Sequence, residues 1–263
     1  MPLKPSGFLA ALAFLTRLAP GRRLDDAAVG SAMPYLPLVG LVLGALCVGP
    51  LWLGVLRSFP LVQAWLAVVL LIWLTRGLHL DGVADICDGV AAHLDRERFW
   101  EIIKDSRVGA FGVLGLVLAV SGQIIFLGEL FSAGLFGSAL FAPVAGRCCA
   151  VVLGHAHRGR TRPGLGSLFL AGATRGALAF AVLTTLAAGL ALAWLGDGPG
   201  QEAGSGMGHA LGQLAGAVIG AAHFQFPLHA LARRVGALNG DFLGCSIVAG
   251  ECGAMLGMLV AAS

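Results

Sequence analysis

The chain has 263 residues, 57% of them hydrophobic and only 12% charged, with a mean hydropathy of +0.87, whereas a soluble domain is about 25% charged. So much apolar surface does not fit inside one water-soluble core, and apolar runs of roughly 17–25 residues, long enough to cross a bilayer as helices, recur along the whole length. The net charge of +3 comes without a basic stripe interleaved with aromatics, which excludes a nucleic-acid partner, and the six cysteines form no C-x-x-C pair, which excludes a disulfide framework or zinc site.

In chain order, the opening GFLAALAFLTRLAPG is too short to span and ends in Arg17 and Pro20, so it reads as an interfacial or re-entrant helix. It offers no small-residue cleavage site of the kind a secretory signal needs. Seven spans follow at about 33–56, 61–78, 108–128, 134–155, 177–196, 209–232 and 242–262. The fold class is therefore all-α, a polytopic helical bundle forming a single membrane-embedded domain over residues 1–263. The 40 glycines suit it, because small residues let helix backbones approach closely in lipid.

Lys and Arg collect on alternate connections. Lys4, Arg17, Arg22 and Arg23 precede the first span; Arg96, Arg98, Lys104 and Arg107 follow the second; Arg158, Arg160, Arg162 and Arg175 follow the fourth; Arg233 and Arg234 follow the sixth. The opposite connections hold only Arg57. Positively charged loops stay in the cytoplasm, so this pattern predicts basic loops inside and the C-terminus outside. The segment GDGPGQEAGSGMG at 196–208 reads as an ordinary exposed loop.

The longest cytoplasmic connection, about 79–107, carries LHLDGVADICDG. If 81–88 is helical, Asp81, Asp85 and Asp88 share one face at i, i+4 and i+7. Carboxylates crowded beside a membrane repel unless a cation sits among them, and a hard, oxygen-seeking ion such as Mg²⁺ meets that need. Gly82 and Gly89 would let a bulky ligand reach the backbone. Asp95, Glu97 and Glu101 read as solvated loop charges. His79 is either a structural hydrogen-bonding residue or a substrate contact.

Further on, KDSRVGAFG (104–112) sets Lys104, Asp105 and Arg107 before the third span, as a phosphate grip with a metal-completing carboxylate or as a headgroup anchor. RTRPGLGSLF (160–169) places Arg160 and Arg162 beside glycines, as a phosphate grip or, the stronger reading from the residues alone, an ordinary positive-inside loop, and LNGDFLG (238–244) puts Asn239 and Asp241 on a glycine-rich turn where a metal or sugar ligand can sit. Glu251 falls near mid-span and calls for a partner or a proton, with Arg147 and His223 as candidate partners in the bundle.

Taken in order, GLHLDGVADICDG, KDSRVGAFGVLGL, RPGLG and NGDFLG, together with FLTRLAP and PLVGLVLG near the start, resemble the cobalamin synthase family over nearly the whole chain. Asn239 stands where that family's pattern carries threonine, and Cys87 where a small residue is usual; neither change removes a carboxylate. The resemblance implies a bacterial inner-membrane transferase that joins α-ribazole or its 5′-phosphate to adenosylcobinamide-GDP and releases GMP. It also implies Mg²⁺ as cofactor, the lipid bilayer as surroundings and room for a homo-oligomer. On that basis Asp81, Asp85 and Asp241 are expected to hold the metal, with Asp88 as base and Asp105 as a second catalytic carboxylate. His79, Lys104, Arg107, Arg162 and Asn239 are expected to bind substrate. Two other classes fit less well. A CDP-alcohol phosphotransferase carries an Ala-Arg that DGVADICDG lacks, and an ion-coupled transporter distributes polar groups through mid-depth.

Overall fold

Hydrocarbon offers no partner to a backbone N–H or C=O, so a spanning chain satisfies these groups within each segment. The computed structural model describes residues 5–19, 26–91, 95–195 and 206–263, and these form α-helices with no named strand. In order they are α1 (Pro5–Leu15), α2 (Asp26–Ala32), α3 (Leu36–Trp52), α4 (Pro60–Thr75), α5 (Leu78–Val90), α6 (Arg96–Ile103), α7 (Ala110–Ser132), α8 (Phe136–Ala156), α9 (Leu165–Ala171), α10 (Arg175–Leu195), α11 (Met207–Val235) and α12 (Gly240–Ala262). Lys4, Arg22, Arg23 and most of the 196–208 loop lie outside the described residues.

Among the described residues, six stretches are long and apolar enough to cross a membrane alone: Ala27–Trp52, which runs through α2 and α3, then α7, α8, α10, α11 and α12. α4, together with the bent α5, brings the total to as many as seven, as the sequence predicts. The first span ends at Trp52 rather than 56. α1 is a short apolar helix, as expected of the opening segment, and it buries Ala10, Ala11 and Leu15.

The 79–107 connection differs from its sequence reading. It is two helices, and α5 turns by 91° from α4. The turn comes from two successive left-handed residues, Arg76 (φ 58) and Gly77 (φ 69); glycine takes that conformation freely and arginine does not. Arg76 is held there by its guanidinium, which donates to Phe14 O at 2.6 Å. Arg17 returns the tie by donating from Nε to Trp73 O at 2.8 Å, so α1 is fastened to the α4–α5 corner.

α8 and α12 form the centre: α8 is buried along most of its length and α12 packs on α5, α7, α8 and α11, whereas α7 and α10 are largely exposed. α11 packs on α12 through small residues, with Gly216 against Gly257 and Gly220 against Gly253; a Cβ at any of the four would overlap the opposing backbone. Close backbone approach of this kind drives helix association in lipid.

Glu251, the mid-span carboxylate, has the partner the sequence called for. Arg147 Nη1 donates to Glu251 Oε1 at 2.8 Å and Gln123 Nε2 to Oε2 at 2.7 Å, joining α8, α12 and α7. His223 is exposed and makes a ring contact with Phe224 instead. A locked, buried pair is not a lined ion path. Glu251→Ala is expected to destabilise the bundle by about 3–5 kcal/mol by leaving a buried guanidinium unpaired. The double substitution Arg147→Met/Glu251→Leu is expected to recover most of that loss, read as denaturation midpoints in one detergent.

Candidate active site

α5 is amphipathic, and its apolar side, with His79, Gly82, Val83, Ile86 and Gly89, is buried. That burial fixes the rotation of the helix and presents Asp81 outward and Asp85 half-buried on the other side. Gly82 lies on the backbone of α12's first turn: a Cβ there would come within 2.6 Å of Asp241 O and 3.0 Å of its Cα. Gly89 is covered by the Phe99 ring. The space these two glycines leave is therefore filled by protein, not by a ligand, and the contact at Gly82 is what brings α12's carboxylate to those of α5.

Asp241 sits in the first turn of α12, where the helix dipole favours negative charge. Asn239 caps that helix by accepting from Phe242 N at 3.3 Å, the service a threonine would give there, and its Nδ2 donates to Asp241 Oδ2 at 2.5 Å. Among the described residues no hydrogen bond reaches the Asp81 or Asp85 carboxylates. Burial, then the neighbouring charges of Asp241, Asp81 and Asp88, push Asp85 up to about 7.

Asp88 has a different task from its neighbours. Its Oδ2 accepts from Gly109 N and its Oδ1 from Gly112 N, both at 2.7 Å, so the whole carboxylate caps the start of α7. A Cβ at Gly112 would overlap Asp88 Oδ2. Both oxygens are committed to amides that α7 leaves unpaired at its N-terminus, which does not suit a base. The sequence signal was a glycine, Gly109, at the position that caps α7, coupled with Gly112 in its first turn.

The loop this cap anchors carries Lys104, Asp105 and Arg107, all exposed. Arg107 donates from Nη2 to Asp105 Oδ2 at 2.6 Å and from Nε to Oδ1 at 3.0 Å. These bonds hold the Asp105 carboxyl down at about 2. Asp105 thus steadies Arg107 at the surface. Asp95 caps α6 by accepting from Arg98 N at 2.8 Å, and Glu101 pairs with Arg98 in the open, in keeping with solvated charges.

A cavity of about 330 Å³ lies under α5 and the start of α12, with His79, Arg162, Asn239 and Asp241 in its wall beside Phe14 and Phe169. Small-ligand sites run ~300–1,000 Å³ with a few polar groups in apolar walls. RTRPGLG and LNGDFLG meet there because Leu238 N donates to Arg160 O and Arg162 N to Leu238 O, each at 2.8 Å. The Arg162 guanidinium lies 4.7 Å from the centre of the Trp100 ring, a cation–π contact that shelters its charge. Phe14, Phe169 and Trp100 were not legible as site residues, since each sits in a segment whose neighbours in space are far away in sequence.

The donors suit a hard cation, since they are carboxylates without a thiolate. Among the described residues, no three His, Cys, Asp or Glu side chains close into a ready-made metal cage. Mg²⁺ is commonly held by one or two carboxylates together with phosphate oxygens, and Asp81 and Asp241 are the donors this end of the bundle could offer to such a shared arrangement.

Over residues 7–259 the sequence matches the family described as cobalamin-5-phosphate synthase. The chain belongs to that family. Among curated relatives, the adenosylcobinamide-GDP ribazoletransferase of Nitratidesulfovibrio vulgaris strain Miyazaki F is 45% identical over 94% of this chain and 92% of its own. The protein of that name in strain DP4 is 41% identical over 94% of each. An Escherichia coli K12 relative, with the same name, is 37% identical over 62% of this chain and 68% of its own. No solved structure matches. In this chain the fold places the four sequence motifs at one end of the bundle.

Proposed function

We propose that the chain transfers the adenosylcobinamide-phosphoryl group of adenosylcobinamide-GDP to α-ribazole or its 5′-phosphate, giving adenosylcobalamin or its 5′-phosphate and GMP. The observation that carries this reading is the meeting of Asp81 and Asp85 on α5 with Asp241 on α12, beside a cavity able to take a nucleoside-sized group. A diphosphate brings the negative charge that three carboxylates repel, and a cation between them supports both partners. Mg²⁺, when bound, would neutralise the diphosphate and stabilise GMP as it leaves.

Asp81 and Asp241 are assigned to holding that cation. Asp85 is given the base role in place of Asp88, because its oxygens are free of hydrogen bonds and it stands between the other carboxylates. It takes the proton of the ribazole 3′-hydroxyl as that oxygen forms a bond to the phosphorus nearest cobinamide, while the bond from that phosphorus to the GMP oxygen breaks. Lys104, Arg107 and Arg162 neutralise phosphate oxygens. Asn239 and His79 shape the cavity. Asp88 positions the loop bearing Lys104 and Arg107 by holding the start of α7.

Two outcomes test the assignment. Chelator is expected to abolish turnover and Mg²⁺, or less fully Mn²⁺, to restore it; full turnover without divalent metal would refute it. Without a cation, burial and then the neighbouring carboxylates hold the Asp85 carboxyl at about 7; a divalent cation on Asp81 and Asp241 lowers it, so the fall in turnover at acid pH is expected to move to lower pH as Mg²⁺ is raised from limiting to saturating. An acid limb that does not move with Mg²⁺ would remove Asp85 from the base role.

The same reading puts the carboxylate end of the bundle in the cytoplasm of a bacterial inner membrane, supported by the Lys and Arg bias of alternate connections. A periplasm-active reporter fused after Ser263 is expected to be active, and activity of a cytoplasm-only reporter there would reverse the topology.

A further inference from the structure

Away from the carboxylates, α8, α10 and α11 enclose a larger cavity of about 530 Å³. Its floor is small and apolar, with Ala145, Ala217 and Ala221, and its rim residues Leu186, Val218 and Phe226 are exposed on the outer face of the bundle. The two polar side chains within it are already satisfied. Thr185 donates to Ala181 O at 2.7 Å, and Gln225 exchanges hydrogen bonds with Ser246, donating to its carbonyl at 2.9 Å and accepting from its hydroxyl at 2.7 Å. The groove therefore offers hydrocarbon contact and no free polar group until its end.

At that end stand His229 and Arg233. His229 shares a 3.2 Å hydrogen bond with His157, and Arg233 is exposed. No Asp or Glu occurs from residue 130 to 195 or from 203 to 240, so the helices walling the groove and the loops at its mouth contribute only positive charge: Arg158, Arg160, Arg175, Arg233 and Arg234. Val218, Ala221, Ala222, Gln225, His229 and Arg233 lie along one side of α11, a stripe of roughly 22 Å at 1.5 Å per residue. It runs from the cationic end past mid-depth of a hydrocarbon layer about 30 Å thick.

We propose that this groove binds one acyl chain of an anionic phospholipid, with the headgroup phosphate on Arg233 beside His229. A chain lying in an apolar trough and a phosphate at a cationic mouth at headgroup depth match the groove at both ends. A second copy of this chain is a poorer occupant, because related copies would bring two cationic mouths together. Cations near the membrane surface favour anionic over zwitterionic headgroups.

The test uses the whole protein purified in a nonionic detergent, titrated with phosphatidylglycerol or with phosphatidylcholine of the same acyl chains. Bound lipid is counted by native mass spectrometry and the thermal midpoint followed in parallel. The expected result is one phosphatidylglycerol held about five- to tenfold more tightly than phosphatidylcholine, with a raised midpoint. Arg233→Gln, at an exposed position, should bring the two lipids level, and Ala221→Phe should displace both. If Ala221→Phe does not fold, Arg233→Gln decides alone. Equal binding of the two lipids by the wild type, an unchanged preference in Arg233→Gln, or release of a second protein copy rather than lipid by Ala221→Phe would overturn the proposal.

Discussion

Asparagine at position 81, 85 or 241 is expected to lower turnover by about 10²-fold or more, the scale on which a general base or a metal contribution is lost. Asparagine keeps the shape of the side chain and removes its charge and basicity, so the protein should insert and purify normally. Burial first, and then the charges of its carboxylate neighbours, raise Asp85 to about 7, so neutralising it removes a half-buried charge and its repulsions and should leave the fold intact or steadier. The three variants should also differ from one another. Excess Mg²⁺ partly rescues Asp81→Asn and Asp241→Asn by mass action, and it does not rescue Asp85→Asn. Rescue of Asp85→Asn would return that residue to the metal and reopen the identity of the base. Asp95→Asn retains activity, because Asp95 only caps α6.

Gly82→Ala is expected to cost as much as losing a carboxylate, although it removes no functional group. A Cβ at that position meets Asp241 O at 2.6 Å and Cα at 3.0 Å, and both are backbone atoms that cannot swing aside. α5 and α12 must then separate by several tenths of an ångström to an ångström, and a misplacement of that size can cost 10²-fold in rate. The loss should appear with Asp81, Asp85 and Asp241 all present, and extra Mg²⁺ should not restore it. Cys87→Ser is the control on the same helix. Its thiol packs against Gly115 of α7 and touches no group assigned to the reaction, so turnover should be nearly unchanged. Wild-type turnover in Gly82→Ala would mean that the α5–α12 contact does not set the site.

Much of this was legible in the sequence because lipid imposes simple rules. Apolar length marks the spans, Lys and Arg mark alternate connections, and the i, i+4, i+7 spacing of Asp81, Asp85 and Asp88 survives as a real helix, α5. What was hidden depends on contacts between distant segments. The 91° corner follows from Arg76 adopting a left-handed conformation, which an arginine does not announce, and which holds because α1's carbonyls receive its guanidinium. Asp88 looked like its two neighbours by spacing, and only the approach of α7's first amides, 21 and 24 residues along the chain, gives it a capping role. Gly82 and Gly89 read as openings for a ligand, whereas α12 and Phe99 fill them. Glu251 announced its need for a partner, and Arg147, 104 residues away, was one of two named candidates.

The most direct measurement reconstitutes the purified wild type and Asp85→Asn in vesicles with adenosylcobinamide-GDP, α-ribazole and Mg²⁺, and counts the corrinoid product and GMP. The wild type is expected to give the two products in equal amounts, and Asp85→Asn to give less than about one hundredth of either in the same time. A wild type that forms GMP without the joined corrinoid, or an Asp85→Asn protein that keeps pace with it, would contradict a transfer reaction centred on the α5 and α12 carboxylates.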